Sequence, residues 1–221
     1  MYLFLSHTLD PNDLAWPGEP VLQVKQCTKA GEDSVFDSFL STLPNHFGTH
    51  MDAPRHFVPG RVSINELPID YFCHENVLLI DVPKKKTEGV MPEDLKPYEA
   101  QIKKASILLI RTGFEKYRSA EPKVYQSEGP HIHPETGKYL VGTFPDLRVI
   151  GFDFLAVGSP SNDMPADAHQ QLLGYHTEKF VTAIEDMHLS EVGNRKIKRL
   201  FNAPLRIAGI DSSQVTVIAE V

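Results

Sequence analysis

Cysteine is nearly absent: Cys27 and Cys73 are the only two in 221 residues. Two thiols so far apart exclude a disulfide framework and a cysteine-based zinc site, and both are expected to be structural thiols. No apolar run approaches the roughly 20 residues that a membrane-crossing helix needs. The apolar start Met1-Tyr2-Leu3-Phe4-Leu5 is cut short by Ser6-His7 and has no basic lead, so it does not read as a signal segment. A cytoplasmic address with no membrane partner is therefore expected. Positive charge is also in deficit, with 22 Lys and Arg against 29 Asp and Glu for a net charge of -7, which argues against a nucleic-acid partner. The one basic run, Lys84-Lys85-Lys86, reads as a solvated turn. Repeats, low-complexity tracts and Gly/Ser linkers are missing too, so residues 1–221 are expected to form a single domain. At 41% hydrophobic and 23% charged, the chain can bury one substantial core.

What the chain does contain is an unusual concentration of donors between Asn45 and Phe57. In extended backbone, side chains alternate, so His46, Gly48, His50, Asp52 and His56 share one side and Phe47, Met51 and Phe57 the other. A helix would still pair His46 with His50 but would turn Asp52 away, and Gly48 and Pro54 would weaken it. Neutral imidazoles and a carboxylate in register are the donors that zinc and other divalent first-row metals take, and Gly48 lets backbone approach an ion closely. A solvated polar loop is the alternative.

The rest of the chain reads as a mixed α/β fold. Residues 1–7 form a first strand, and Asp10-Pro11-Asn12-Asp13 is a turn delivering Trp16, the only tryptophan, to a loop. Val21 to Thr28 and Ser34 to Leu40 read as a hairpin. Asn76 to Val82, Ser106 to Arg111 and Leu147 to Phe152 are apolar strands, expected to be buried on both faces. Helices are expected over Met91 to Lys103, with a break at Pro97, over Pro134 to Thr143 and over Pro165 to Gly174. Glu115 to Gly129 lacks a period and reads as a loop over a site. Phe180 to Glu185, Arg199 to Ala203, Leu205 to Ile210 and Val215 to Val221 read as further strands. The order implies parallel crossovers mid-chain and antiparallel pairing at both ends. His169 and Glu185 are candidates to reach a metal from across the fold, while His131 and His133, flanked by Pro130 and Pro134, read as solvated.

The run His46-Phe47-Gly48-Thr49-His50-Met51-Asp52-Ala53-Pro54-Arg55-His56-Phe57 closely resembles the signature of the cyclase-like metal-dependent hydrolases, the family of bacterial kynurenine formamidase and isatin hydrolase. Ser6-His7-Thr8-Leu9, Trp16-Pro17-Gly18, Asp167-Ala168-His169 and Pro204-Leu205-Arg206-Ile207 extend the likeness over nearly the whole chain. The resemblance implies a swivelling β/β/α-type fold, one or two divalent ions (zinc or manganese), and a homodimer or homotetramer acting on a small-molecule substrate. It implies that His46, His50 and Asp52 bind metal, that His169 and Glu185 hold a second ion with Asp52 bridging, and that His56 moves the proton. Glu178 and Asp186 compete with Glu185. Trp16 resembles the aromatic residue that packs on the substrate ring. The implied reaction is hydrolysis of a C–N bond in an amide, formamide or cyclic imide by metal-activated water. The alternatives are a lactonase or isatin-type ring opener, or a non-catalytic metal-stabilised module. Gly151-Phe152-Asp153-Phe154-Leu155-Ala156 departs from the Gly-Ile-Asp-Thr-Pro-Ser common in formamidases, so the resemblance carries the chemistry further than the substrate.

Overall fold

In the computed structural model, which describes residues 1–221, the chain opens with β1 (Tyr2–Phe4), β2 (Gln23–Thr28), β3 (Ser38–Thr42) and β4 (His50–Asp52). β5 (Cys73–His74), β6 (Val77–Asp81) and β7 (Gly89–Val90) lead to the one-turn helices α1 (Pro92–Leu95) and α2 (Glu99–Ile102), then to β8 (Ile107–Arg111). α3 (Lys116–Ala120), α4 (Pro122–Ser127), β9 (His131–Ile132), α5 (Pro134–Thr143) and β10 (Val149–Phe152) follow. α6 (Pro165–Leu172), β11 (Thr182–Glu185), β12 (Arg199–Pro204) and β13 (Ser212–Glu220) complete the order.

One mixed sheet runs β5-β12-β13-β4-β11-β10-β8-β6, with β1 added on β13. β6, β8, β10 and β11 are mutually parallel, and β4, β5, β12 and β13 pair antiparallel, as the element order implied. The two ends of the sheet, β5 and β6, are joined by only Glu75 and Asn76, and the Asn76 carbonyl accepts the Ser106 N–H at 2.9 Å. The sheet therefore curls nearly into a barrel.

Period-two alternation divides the apolar residues between two layers. Ile107, Leu109, Val149, Ile184 and Met51 face one cluster, with Leu200, Val215 and Val217 from the antiparallel strands. Leu108, Ile110, Ile150, Phe152 and Ala183 face the other, where α5 and α6 supply Leu140, Val141, Ala168 and Leu172. His50 and Asp52, one residue either side of Met51, thereby face the helical layer.

Several expectations are corrected. Glu115 to Gly129 is α3 and α4 rather than a loop; each is too short to show a helical period, and they are separated by Glu121, with Pro122 opening α4. Leu205 to Ile210 is a turn, leaving β13 to start at Ser212. β6 pairs only with β8, so as an edge strand it is half-buried rather than covered on both faces. The Met91 to Lys103 helix is split around Lys96–Tyr98, because Pro97 removes a backbone donor. Cys27 and Cys73 are exposed and take no part in the core. His131 is buried, not solvated, since β9 carries it beneath the segment around Asn162.

Candidate metal centre

The donor-rich stretch is extended only over His50–Asp52; His46 lies on the turn before it and His56 closes a single 3-10 turn, Pro54–His56. Gly48 links turn to strand at φ +64, a conformation that other residues adopt at a cost. A Cβ there would also fall 2.3 Å from Leu9 Cδ2. β4 lies between β11 and β13, which places Glu185 directly opposite His50, with Oε2 3.2 Å from Nε2.

The remaining donors close on the same point. His46 Nδ1 lies 3.3 Å from His50 Nε2 and 3.2 Å from Asp52 Oδ1. His169, from α6, brings Nε2 to 3.9 Å from Asp52 Oδ2 and 3.7 Å from Glu185 Oε1. Backbone sets the two buried imidazoles: Nδ1 of His50 donates to the Gly48 carbonyl at 2.8 Å, and Nδ1 of His169 to the Pro165 carbonyl at 2.6 Å. With Nδ1 of each ring committed to backbone, Nε2 is the atom that faces inward and could be offered to an ion. Glu185 Oε1 is anchored by the Val157 N–H at 2.6 Å.

Asp211 is a further candidate residue of this cluster, one that sequence reasoning missed. Its Oδ2 takes His56 Nδ1 at 2.7 Å and His46 Nε2 at 3.0 Å, while Oδ1 accepts from Asn45 at 2.6 Å. The two rings it holds lie 4.0 Å apart between centroids. With Nδ1 committed to Asp211, His56 presents Nε2 toward Asp52, 4.0 Å from Oδ2. Asp211 sits 155 residues after His56 in a turn without a motif, and only the register of β13 beside β4 could have suggested it.

The electrostatics ask for a cation. Burial opposes charge on His46, yet Asp52 and Asp211 outweigh it and push its pKa up to about 10. His50 is raised by Glu185 against the same burial. Burial would raise Asp52, but the surrounding imidazoles hold it well below the usual carboxylate range, and His169 and His50 lower Glu185 likewise. Hydrogen bonds from His46 and then His56 depress Asp211. Both Asp52 oxygens are buried without a hydrogen bond. Two donor groups share that carboxylate, His46–Asp52–His56 and His50–Asp52–Glu185, each with its donor atoms within 4.8 Å. An orphaned carboxylate ringed by imidazole and carboxylate donors fits a divalent ion.

A cavity of about 320 Å³ opens over this cluster, walled by Trp16, Phe57, Leu155, Ala156 and Pro165. His46, His50, His56, His169, Glu185 and Trp16 all line it, and Asp52 is buried behind these side chains, 3.9 Å from His169 Nε2. Phe57 stacks on His169 at 4.3 Å. The competitors of Glu185 lie elsewhere: Glu178 is exposed and pairs with Arg61, and Asp186 turns away to Arg118. His131 and His133 also lie apart, the latter accepting a hydrogen bond from the Glu135 N–H at the start of α5. Helices are short throughout, and none is long and apolar enough to cross a membrane.

A family model described as "Putative cyclase" matches residues 3–159. An uncharacterized protein of Haemophilus influenzae is 52% identical over 129 residues, covering 58% of this chain and 91% of that protein. The kynurenine formamidase of Bacillus cereus strain ATCC 10987 is 26% identical over 208 residues, covering 94% of this chain and 91% of the formamidase. Among solved structures, isatin hydrolase A from Labrenzia aggregata, bound to benzyl benzoate, superposes with a TM-score of 0.81 at 22% identity. That superposition covers 99% of this chain and 93% of the other, and shows a common fold.

Proposed function

The chain belongs to the Cyclase family, and on that footing we propose that it hydrolyses a C–N bond of a small amide, formamide or cyclic imide in the cavity over Asp52. The observation that carries this reading is the buried Asp52 carboxylate, without a hydrogen bond and at the meeting point of both donor groups. His46, His50 and Asp52 would hold one divalent ion, and His169 and Glu185 would complete a second position with Asp52 in common; nitrogen and oxygen donors suit zinc and manganese alike. Such an ion supplies Lewis acidity toward a water molecule and toward the substrate carbonyl.

The chain's own residues supply the proton path. His56, oriented by Asp211 through Nδ1, has Nε2 free to take a proton from the attacking water and return it to the leaving nitrogen. The pair follows the logic of a carboxylate that fixes the tautomer and orientation of a catalytic imidazole. Trp16, Phe57 and Leu155 form apolar walls against which a planar ring can lie, and the cavity volume suits a ligand of that size.

Ring opening of an uncharged cyclic imide or lactone is favoured over a substrate bearing a free carboxylate by one further observation. The lining residues include four histidines and two glutamates but no lysine or arginine. Leu155 and Ala156 occupy the part of the wall contributed by the departure from the formamidase pattern. Assay of zinc- and manganese-loaded protein against N-formyl aryl amines, isatins and lactones tests both readings. Turnover of at least one class that disappears on chelation is the expected result; metal-replete protein inert toward all three would overturn the reading.

Self-association through the β2–β3 hairpin belongs to the same proposal. Both faces of this hairpin are exposed, including Val24, Phe36, Phe39 and Leu40. An isolated two-stranded hairpin is marginal in water and needs covering; a second copy of the chain offers a matching apolar surface.

A further inference from the structure

Beyond the end of β11 a second polar network, built on Asp186, has no part in the chemistry above. Asp186 follows Glu185 at φ +52, and its carboxylate meets α3 and α4 rather than the metal-ligand cluster. There it accepts from Arg118 Nε at 2.9 Å and from the Tyr125 hydroxyl at 2.6 Å. Its backbone carbonyl accepts from the hydroxyl of Thr49, the residue before His50, at 2.5 Å. Asp186 is thus fixed to both ligand-bearing strands.

The other edge of the Arg118 guanidinium reaches a different part of the chain. Nη2 lies 3.0 Å from Asp13 Oδ2 and Nη1 3.3 Å from Oδ1. Directly after Asp13, Leu14, Ala15 and Trp16 enter the cavity wall. Residues 10–19 have no strand or helix of their own, so their position depends on such ties. A second tie comes from the same helical pair, where Gln126 Nε2 donates to the Ala15 carbonyl at 2.7 Å. The Arg118 side chain is only 16% exposed, which removes it from the class of screened surface pairs.

We propose that Arg118 is a positioning residue for the substrate pocket: it clamps the loop bearing Trp16 to the Asp186 end of β11 and so sets the gap between the aromatic wall and the metal-ligand cluster. The planar fork is suited to this because it offers separate edges to two carboxylates, which a lysine ammonium cannot span at once. The consequence is control of ring fit rather than of proton transfer, a role that rests on reading the cavity as a hydrolase site.

Because Trp16 is the only tryptophan, its fluorescence reports this wall alone. Metal-loaded native protein is compared with Asp13→Asn, which removes the ionic half of the Arg118 tie to the loop while leaving the Arg118–Asp186 pair, and with Arg118→Lys. Both variants are expected to raise acrylamide quenching of Trp16 about twofold and KM about tenfold, with kcat held within about threefold and bound metal per chain unchanged. The quenching measurement needs no substrate, so it decides the clamp even if the hydrolase reading fails in the assays above. Quenching equal to native in both variants overturns the proposal, as does loss of metal or a fall in kcat at constant KM.

Discussion

Asp211 and His56 are joined through Oδ2 and Nδ1 at 2.7 Å, across 155 residues of chain. Replacing the carboxylate by an amide keeps the shape but lets the ring choose the wrong tautomer. Asp211→Asn and His56→Gln are each expected to lower kcat by roughly 10²–10⁴-fold while the ion stays bound. Steady-state kinetics with elemental analysis of the same samples checks this. Loss of metal together with activity in His56→Gln would make His56 a ligand instead.

Asp52→Asn is expected to remove both metal and turnover, because one charge common to two donor groups is lost. Equilibrium dialysis against zinc or manganese measures the first and substrate assay the second. A variant that binds and turns over like the native protein would contradict the site.

Much of this site was legible in the sequence, for a definable reason. His50, Asp52 and His46 lie close in the chain, so local spacing carried their geometry. His169 and Glu185 were legible only as candidates until the resemblance was added, since nothing local aims a helix and a strand end at the same point. Asp211 escaped both, because strand pairing across the sheet delivers it. The strands of the parallel half were readable as apolar runs, whereas α3 and α4, under two turns each, gave no periodic signal.

A pH dependence of stability is expected from His74, far from the metal centre. Burial depresses its pKa to about 4, and its ring is held by Ser106 at 3.0 Å and the Tyr71 carbonyl at 3.1 Å. Between the ordinary histidine value near 6.5 and about 4, the unfolded chain binds the extra proton, so stability rises with pH. This contribution is complete above about 6.5 and is lost as pH falls toward 4, to an extent of about 3 kcal/mol. Urea unfolding of native protein and His74→Gln is expected to show a stability gap that narrows on acidification; a gap constant from neutral pH to pH 4 would refute it.

Gly48→Ala is expected to cost about 1–2 kcal/mol from the left-handed backbone alone, with Leu9 displaced by the new methyl. Because Gly48 stands between His46 and His50, metal affinity should weaken in parallel. Thermal melts with and without metal would separate the two effects.

If two copies pair through their hairpins as proposed, Phe36→Asp combined with Phe39→Asp is expected to yield monomer while leaving the far-ultraviolet circular dichroism intact. Sedimentation velocity gives the answer. An unchanged sedimentation coefficient would remove the hairpin from the interface.

The strand that carries His50 and Asp52 is also the seam of the sheet, since Asp52 lies beside Ala183 of the parallel half and Ser212 of the antiparallel half. An ion gripped jointly by β4 and β11 would rivet those halves together, and unfolding would have to draw the rivet first. On the proposed reading, loading the centre would be a folding event as much as a catalytic one, and the melting temperature should climb with free-ion concentration.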